Sequence, residues 1–146
     1  MPTDTREIMA TRYFDALEAR DFGGLNAVVT DGMTFEMPFP VPGMAARHEG
    51  RAAVEAFYRS ALGGMRCSRI RLERVILPAD QSLLVAEGRG VAETTDGLPY
   101  NNRYAWIFAF SSDGRVAALR EYADPLVIMA AFGGPAIATS SDGAAS

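Results

Sequence analysis

The sequence predicts an α+β domain, and three observations carry that prediction. Apolar residues recur three and four apart up to about residue 62, which is helical spacing. From Arg66 onward the period switches to two, which is strand spacing. The later strands are separated by "TDG" and "SSDG", whose residues suit the tight turns of antiparallel hairpins. Helices followed by a run of strands form the α+β pattern, and one strongly curved sheet folded over a helix would enclose a cavity.

The elements follow in order. Asp4 with Glu7 makes a capping box, and behind it Met9, Ala10, Tyr13, Phe14 and Leu17 form one apolar stripe. Arg20 and Asp21 end that helix, and Asp21 caps a short second one running to about Val29. "TDG" then turns the chain into a short strand, "MTFEM", stopped by Pro38, Pro40 and Pro42. A loop containing His48 leads to a third helix, "EGRAAVEAFYRSAL", with Val54, Phe57, Tyr58 and Ala61 inward and Gly63 and Gly64 at its end. Four strands are expected in "CSRIRLERVIL", "SLLVAEGRGVAET", "YNNRYAWIFAF" and "RVAALREY", joined as an antiparallel meander. Asp124-Pro125 starts a last short helix, "LVIMAAF". Residues 1–132 read as one domain, and residues 133–146, mostly Gly, Ala, Ser and Thr, as a disordered tail.

Composition narrows the function. The 146 residues are 49% hydrophobic and 22% charged, enough to bury a core without disulfides or metal. The net charge is −4, with no basic run, which argues against nucleic acid and anionic membranes as partners. A single cysteine, Cys67, and no long apolar span or signal peptide point to a soluble, reducing, cytoplasmic setting; Cys67 itself reads as a small apolar residue. His48 is the sole histidine, and no metal-ligand spacing is present, so no metal is expected. No phosphate-cradling glycine motif occurs either, so no cofactor is expected.

Strand parity then suggests an interior. Leu83, Val85, Glu87, Arg89 and Val91 share one face, and the opposite face carries Leu84, Ala86, Gly88, Gly90 and Ala92. In the following strand Asn102, Tyr104, Trp106, Phe108 and Phe110 line one side. In the last, Ala117, Leu119 and Glu121 share a face. On periodicity alone each feature also has a plain reading. The aromatic row and Tyr13 would be core, Glu121 a solvated carboxylate, and Glu87 with Arg89 an exposed pair worth roughly 0–1 kcal/mol.

The order "YFDALEARDFGGLNAVVTDGMTFEMP", "GRAAVEAFY" and "YNNRYAWIFAFSSDGRVAALREYADP" resembles the SnoaL-like branch of the nuclear transport factor two-like superfamily, from about Thr5 to Leu126. The resemblance implies a cone-shaped α+β barrel: a curved mixed sheet wrapped around helices, with a deep apolar pocket and commonly a homodimer. It also implies a range of roles, from isomerases, cyclases, dehydratases and epoxide hydrolases to non-catalytic binding modules. Tyr13 matches the oxyanion-donating tyrosine of ketosteroid isomerases. Their base, however, falls at Met37 and their second acid at Trp106, so that mechanism is not implied. "REYAD" is similar to the terminal stretch of limonene epoxide hydrolases, which implies Glu121 as the acid or base. Glu87 and Arg89 match the partner positions with the charges reversed.

The expected site therefore consists of Glu121, Arg89, Glu87 and Tyr13. Phe14, Phe35, Met37, Phe57, Asn102, Tyr104, Trp106, Phe108 and Leu119 would hold a small apolar or aromatic molecule. The implied chemistry is general acid–base catalysis on an apolar cyclic substrate, by isomerisation, cyclisation, dehydration or epoxide opening. The alternative is a binding or dimerisation module of the same fold. His48, in its proline-rich loop, is either a proton shuttle at the pocket mouth or a solvated residue.

Overall fold

A computed structural model describes residues 3–133. The expected disordered tail, apart from Gly133, lies outside the described residues. The described elements are α1 (Thr5–Ala19), α2 (Phe22–Val28), β1 (Val29–Glu36), β2 (Arg47–Glu49), α3 (Arg51–Gly63), β3 (Met65–Ile76), β4 (Leu83–Thr94), β5 (Pro99–Tyr100), β6 (Arg103–Phe110), β7 (Val116–Ala123) and α4 (Pro125–Phe132). No described helix is long and apolar enough to cross a membrane.

Three helices begin where the sequence supplies a side-chain oxygen. Asp4 accepts from the Arg6 N–H, Asp21 from Gly24 and Asp124 from Leu126, each satisfying a donor that the first helical turn leaves open. Glu7 is not the partner of Asp4. The Arg6 guanidinium occupies that carboxylate at 2.9 Å, and its Nη1 donates to the carbonyls of Pro78, Asp80 and Leu83. Arg6 is only 6% exposed, so a buried cation ties α1 to the β3–β4 turn.

The strands form one sheet in the order β2-β1-β7-β6-β4-β3, with β5 paired to β4. From β3 to β7 it is the antiparallel meander that the hairpin turns predict. β7 then lies parallel to β1, which makes the sheet mixed. "TDG" at residues 30–32, expected as a turn, lies inside β1. There the step from Val29 to Thr34 stands opposite the shorter step from Val116 to Ala118. These turn-forming residues are taken up by a bulge, which bends the strand without ending it. His48 departs from expectation too. It sits in β2, paired with Phe35, and its ring packs 4.6 Å from that of Phe57. Cys67 is exposed rather than packed as a small apolar residue.

Cross-strand pairing fixes which face is inside. Ala86 pairs with Trp106 and Trp106 with Glu121, while Gly88 pairs with Tyr104, Leu84 with Phe108, and Phe108 in turn with Leu119. Residues paired across antiparallel strands share a face, so the Gly/Ala row of β4 lies beneath the aromatic row of β6. A Cβ on Gly88 would meet the Arg71 carbonyl and approach Trp106 Cζ3 to 3.1 Å; one on Gly90 would lie 3.0 Å from Tyr104 Cε2. These glycines provide the room in which the rings lie. On the concave side Tyr13 and Phe14 of α1 pack edge-on against Phe108, with centroids at 5.7 and 5.6 Å. Phe14 also lies 4.8 Å from Trp106, so α1 fills the sheet's concavity with rings.

Candidate active site

Between α1, α3, α4 and the inner face of the sheet is a cavity of about 320 Å³. Its walls are mostly apolar, formed by Phe14, Met37, Phe57, Ile70, Ile128 and Phe132 among others. The carboxyl of Glu121 is on that wall. It is brought there by register: Glu121 pairs with Trp106, and Trp106 is fully buried on the inner face. The indole Nε1 donates to Glu121 Oε1 at 2.9 Å. Among the described residues no other group hydrogen-bonds to this carboxyl, which leaves Oε2 without a protein donor.

Loss of hydration in this setting pushes the Glu121 pKa from 4.5 up to about 7, while the indole hydrogen bond pulls partly the other way. The carboxyl is thus divided between acid and base forms near neutrality, the condition for moving a proton in either direction. The residue is only partly buried, as a group on the wall of an open cavity must be, yet the walls around it are dry enough to disfavour its charge.

Besides Glu18, Ser60 and Ser68, four tyrosines supply polar groups in or behind the wall. Tyr58, Tyr100 and Tyr104 line the cavity. Tyr13 stands behind Tyr58, with their hydroxyl oxygens 2.7 Å apart. Tyr104 donates to the Tyr100 hydroxyl at 3.3 Å, as does Asn102 Nδ2 at 3.1 Å. Burial raises the pKa of each tyrosine, so all are neutral donors in the working pH range.

The expected site residues separate into three groups. Glu121, Phe14, Met37, Phe57 and Tyr104 line the cavity. Tyr13, Phe35, Trp106, Phe108, Leu119 and Asn102 are buried but not on its wall. Asn102 serves as a brace: Oδ1 accepts from the backbone N–H groups of Arg103 and Asp124, and Nδ2 donates to the Asp124 carbonyl. Glu87 and Arg89 form the third group and correct the expected triad. Both are exposed on the outer face, where Arg89 lies 3.5 Å from Glu73, because β4 turns its glycines, not its charges, toward the rings. Glu121 therefore has no arginine beside it to hold its pKa down.

Tyr58 and Tyr100 were not among the expected site residues. Tyr58 shares the inward side of the third helix with Val54, and Tyr100 has the parity of Tyr104 and Trp106, so both signals were present. Among the described residues, no group of three His, Cys, Asp or Glu side chains is placed to hold a metal ion.

The comparisons with known proteins agree with this architecture. The uncharacterised protein YesE of Bacillus subtilis (strain 168) is 32% identical over 116 residues, covering 77% of each chain. A Bacillus subtilis structure solved as a candidate isomerase superposes with a TM-score of 0.79 at 24% identity, covering 89% of this chain and 94% of that one. A Mycobacterium tuberculosis protein, solved in complex with estradiol-17β-hemisuccinate, superposes with a TM-score of 0.70 at 15% identity, covering 82% and 93%. At these identities the two structures share the fold. The SnoaL-like domain model matches residues 10–119, and the chain belongs to the SnoaL-like domain family.

Proposed function

We propose that this protein is a small-molecule enzyme of general acid–base type, with Glu121 as the proton carrier and a mostly apolar cyclic compound as substrate. One observation carries the reading: an uncompensated carboxyl with a pKa of about 7 stands on the wall of an apolar cavity and offers Oε2 to whatever fills it. In its ionised form Glu121 takes a proton from a substrate carbon, or from a water beside the substrate, onto Oε2. The Trp106 N–H stabilises the ionised form through Oε1. In the second half of the reaction the same carboxyl returns the proton to another substrate atom, so the enzyme ends unchanged. Isomerisation, intramolecular cyclisation, dehydration and epoxide opening all fit this exchange. The Mycobacterium tuberculosis neighbour, which holds a steroid hemisuccinate, supports a fused-ring ligand for a cavity of this fold, the free carboxyl of that ligand aside.

The test compares wild type with Glu121→Gln on a panel of enones, epoxides and polyketide fragments, with products followed by mass spectrometry. Gln keeps the shape and can still accept from Trp106, but it cannot carry the proton. Turnover should fall about 10²–10⁴-fold. Undiminished turnover in a folded Glu121→Gln protein refutes the role. Ligands that bind wild type and leave unchanged would favour the non-catalytic binding module.

A further inference from the structure

The phenol protons around the cavity can be counted, and the count specifies a ligand. Tyr13 is fully buried, and among the described residues its hydroxyl has one hydrogen-bond partner, the hydroxyl of Tyr58. If Tyr58 donated to Tyr13, the Tyr13 proton would be buried without an acceptor, which is the costly arrangement. Tyr13 therefore donates, Tyr58 accepts, and the Tyr58 proton is directed at the cavity that Tyr58 lines.

The second pair leads to the same result by another route. Asn102 Oδ1 accepts from two backbone N–H groups, which settles its amide orientation and makes Nδ2 a donor to Tyr100. Tyr104 spends its hydroxyl proton on Tyr100. The Tyr100 proton is therefore the one left over, and both residues line the cavity. The site thus presents two unspent phenol donors beside the Glu121 carboxyl. Of the residues that line it, none is cationic, and two are carboxylates: Glu121 inside and Glu18, which Arg69 engages at 2.7 Å.

From this we infer that the cavity selects an uncharged cyclic compound bearing carbonyl or ether oxygens, which accept from Tyr58 and from the Tyr100–Tyr104 pair, and that it rejects carboxylates of the same shape. An anion entering here would lose its hydration beside a second negative charge with no cation to offset it. A neutral oxygen acceptor meets donors already ordered for it, and a pure hydrocarbon would leave those donors unpaired. Tyr58 is the hydroxyl that reaches the ligand, and Tyr13 is a positioning residue behind it.

The inference rests on the reading of the Glu121 cavity as the ligand site, but its test is equilibrium binding and needs no turnover. Three bicyclic probes of similar size are titrated by calorimetry at about pH 8, where Glu121 is ionised: 1-tetralone, tetralin and 1-naphthoate. Wild type should bind tetralone about tenfold more tightly than either of the others. In Glu121→Gln the naphthoate penalty should shrink about tenfold. In the triple variant Tyr58→Phe/Tyr100→Phe/Tyr104→Phe the preference for tetralone over tetralin should disappear. Wild type that binds tetralone no more tightly than tetralin, or naphthoate as tightly as tetralone, overturns the inference, as does a triple variant that keeps the preference. Loss of turnover in Glu121→Gln with no such selectivity would leave the acid–base role standing and remove only the ligand class.

Discussion

Replacing Glu121 by Gln should make the protein more stable above neutral pH, and the size of the gain follows from the site. Folding moves this carboxyl from 4.5 to about 7 because the cavity wall withholds hydration. At about 1.4 kcal/mol per pH unit, the displacement is worth ~3 kcal/mol, reduced toward ~2 by water reaching the cavity. The folded state binds the proton more tightly than the unfolded state, so stability from this group is complete below about pH 4.5. It declines as pH rises toward 7 and is flat above that. Gln is neutral throughout and has no such slope. Urea denaturation from about pH 4.5 to 8.5 should therefore show the two proteins converging at the acid end. At the alkaline end the variant should be ahead by ~2–3 kcal/mol. Asp4, Glu55, Asp80 and Asp113, whose pKa values are lowered by hydrogen bonds, act in the opposite sense and in a more acidic window. They are common to both proteins and cancel in the difference. Curves that run parallel across this range would refute the claim that Glu121 is desolvated.

Three further substitutions test the architecture. Arg89→Ala should leave the Glu121 carboxyl titration unchanged, read by carbon-detected NMR, because Arg89 is on the outer face; a midpoint that rises would put the guanidinium back beside Glu121. Gly88→Ala should cost ~1–3 kcal/mol in urea denaturation, since the new methyl meets the Arg71 carbonyl and the Trp106 ring; a neutral effect would mean that β4 does not face the rings. Arg6→Met should cost ~2–4 kcal/mol and lower Tm, because it strips the donor from three carbonyls and from Asp4. A loss of only a few tenths of a kcal/mol would show that the β3–β4 turn does not depend on α1.

Much of this fold was legible because local chemistry and long-range pairing agree. Asp21 and Asp124 cap the helices they precede, and the "TDG" and "SSDG" turns join strands that are neighbours in the sheet. The site was half legible for a physical reason. A period of two divides a strand into two faces without saying which is inside, so parity alone could not choose between the Glu87/Arg89 face and the glycine face. Pairing decides it: Trp106 and Tyr104 need space, and only Ala86, Gly88 and Gly90 can give it. The small row opposite a bulky row was the available clue. Glu121 stands on the inner face because its own register with Trp106 is unbroken through that stretch. Arg6 could not have been found, since its acceptors are carbonyls more than seventy residues away, and backbone oxygens leave no trace in a sequence pattern. The strand around His48 is three residues long, too short for any period to register.

The pairing of β4 with β6 divides two evolutionary freedoms between neighbouring strands. Curvature and close approach reside in β4, where even one added methyl collides with backbone or ring. The filling of the interior resides in β6, where Tyr104 can be trimmed toward smaller residues without asking the backbone to move. A lineage, or a laboratory selection, can thus explore larger and differently shaped cavities through β6, while β4 resists any enlargement and keeps the scaffold constant. Variation in cavity shape should accumulate on one strand and invariance on the strand beside it.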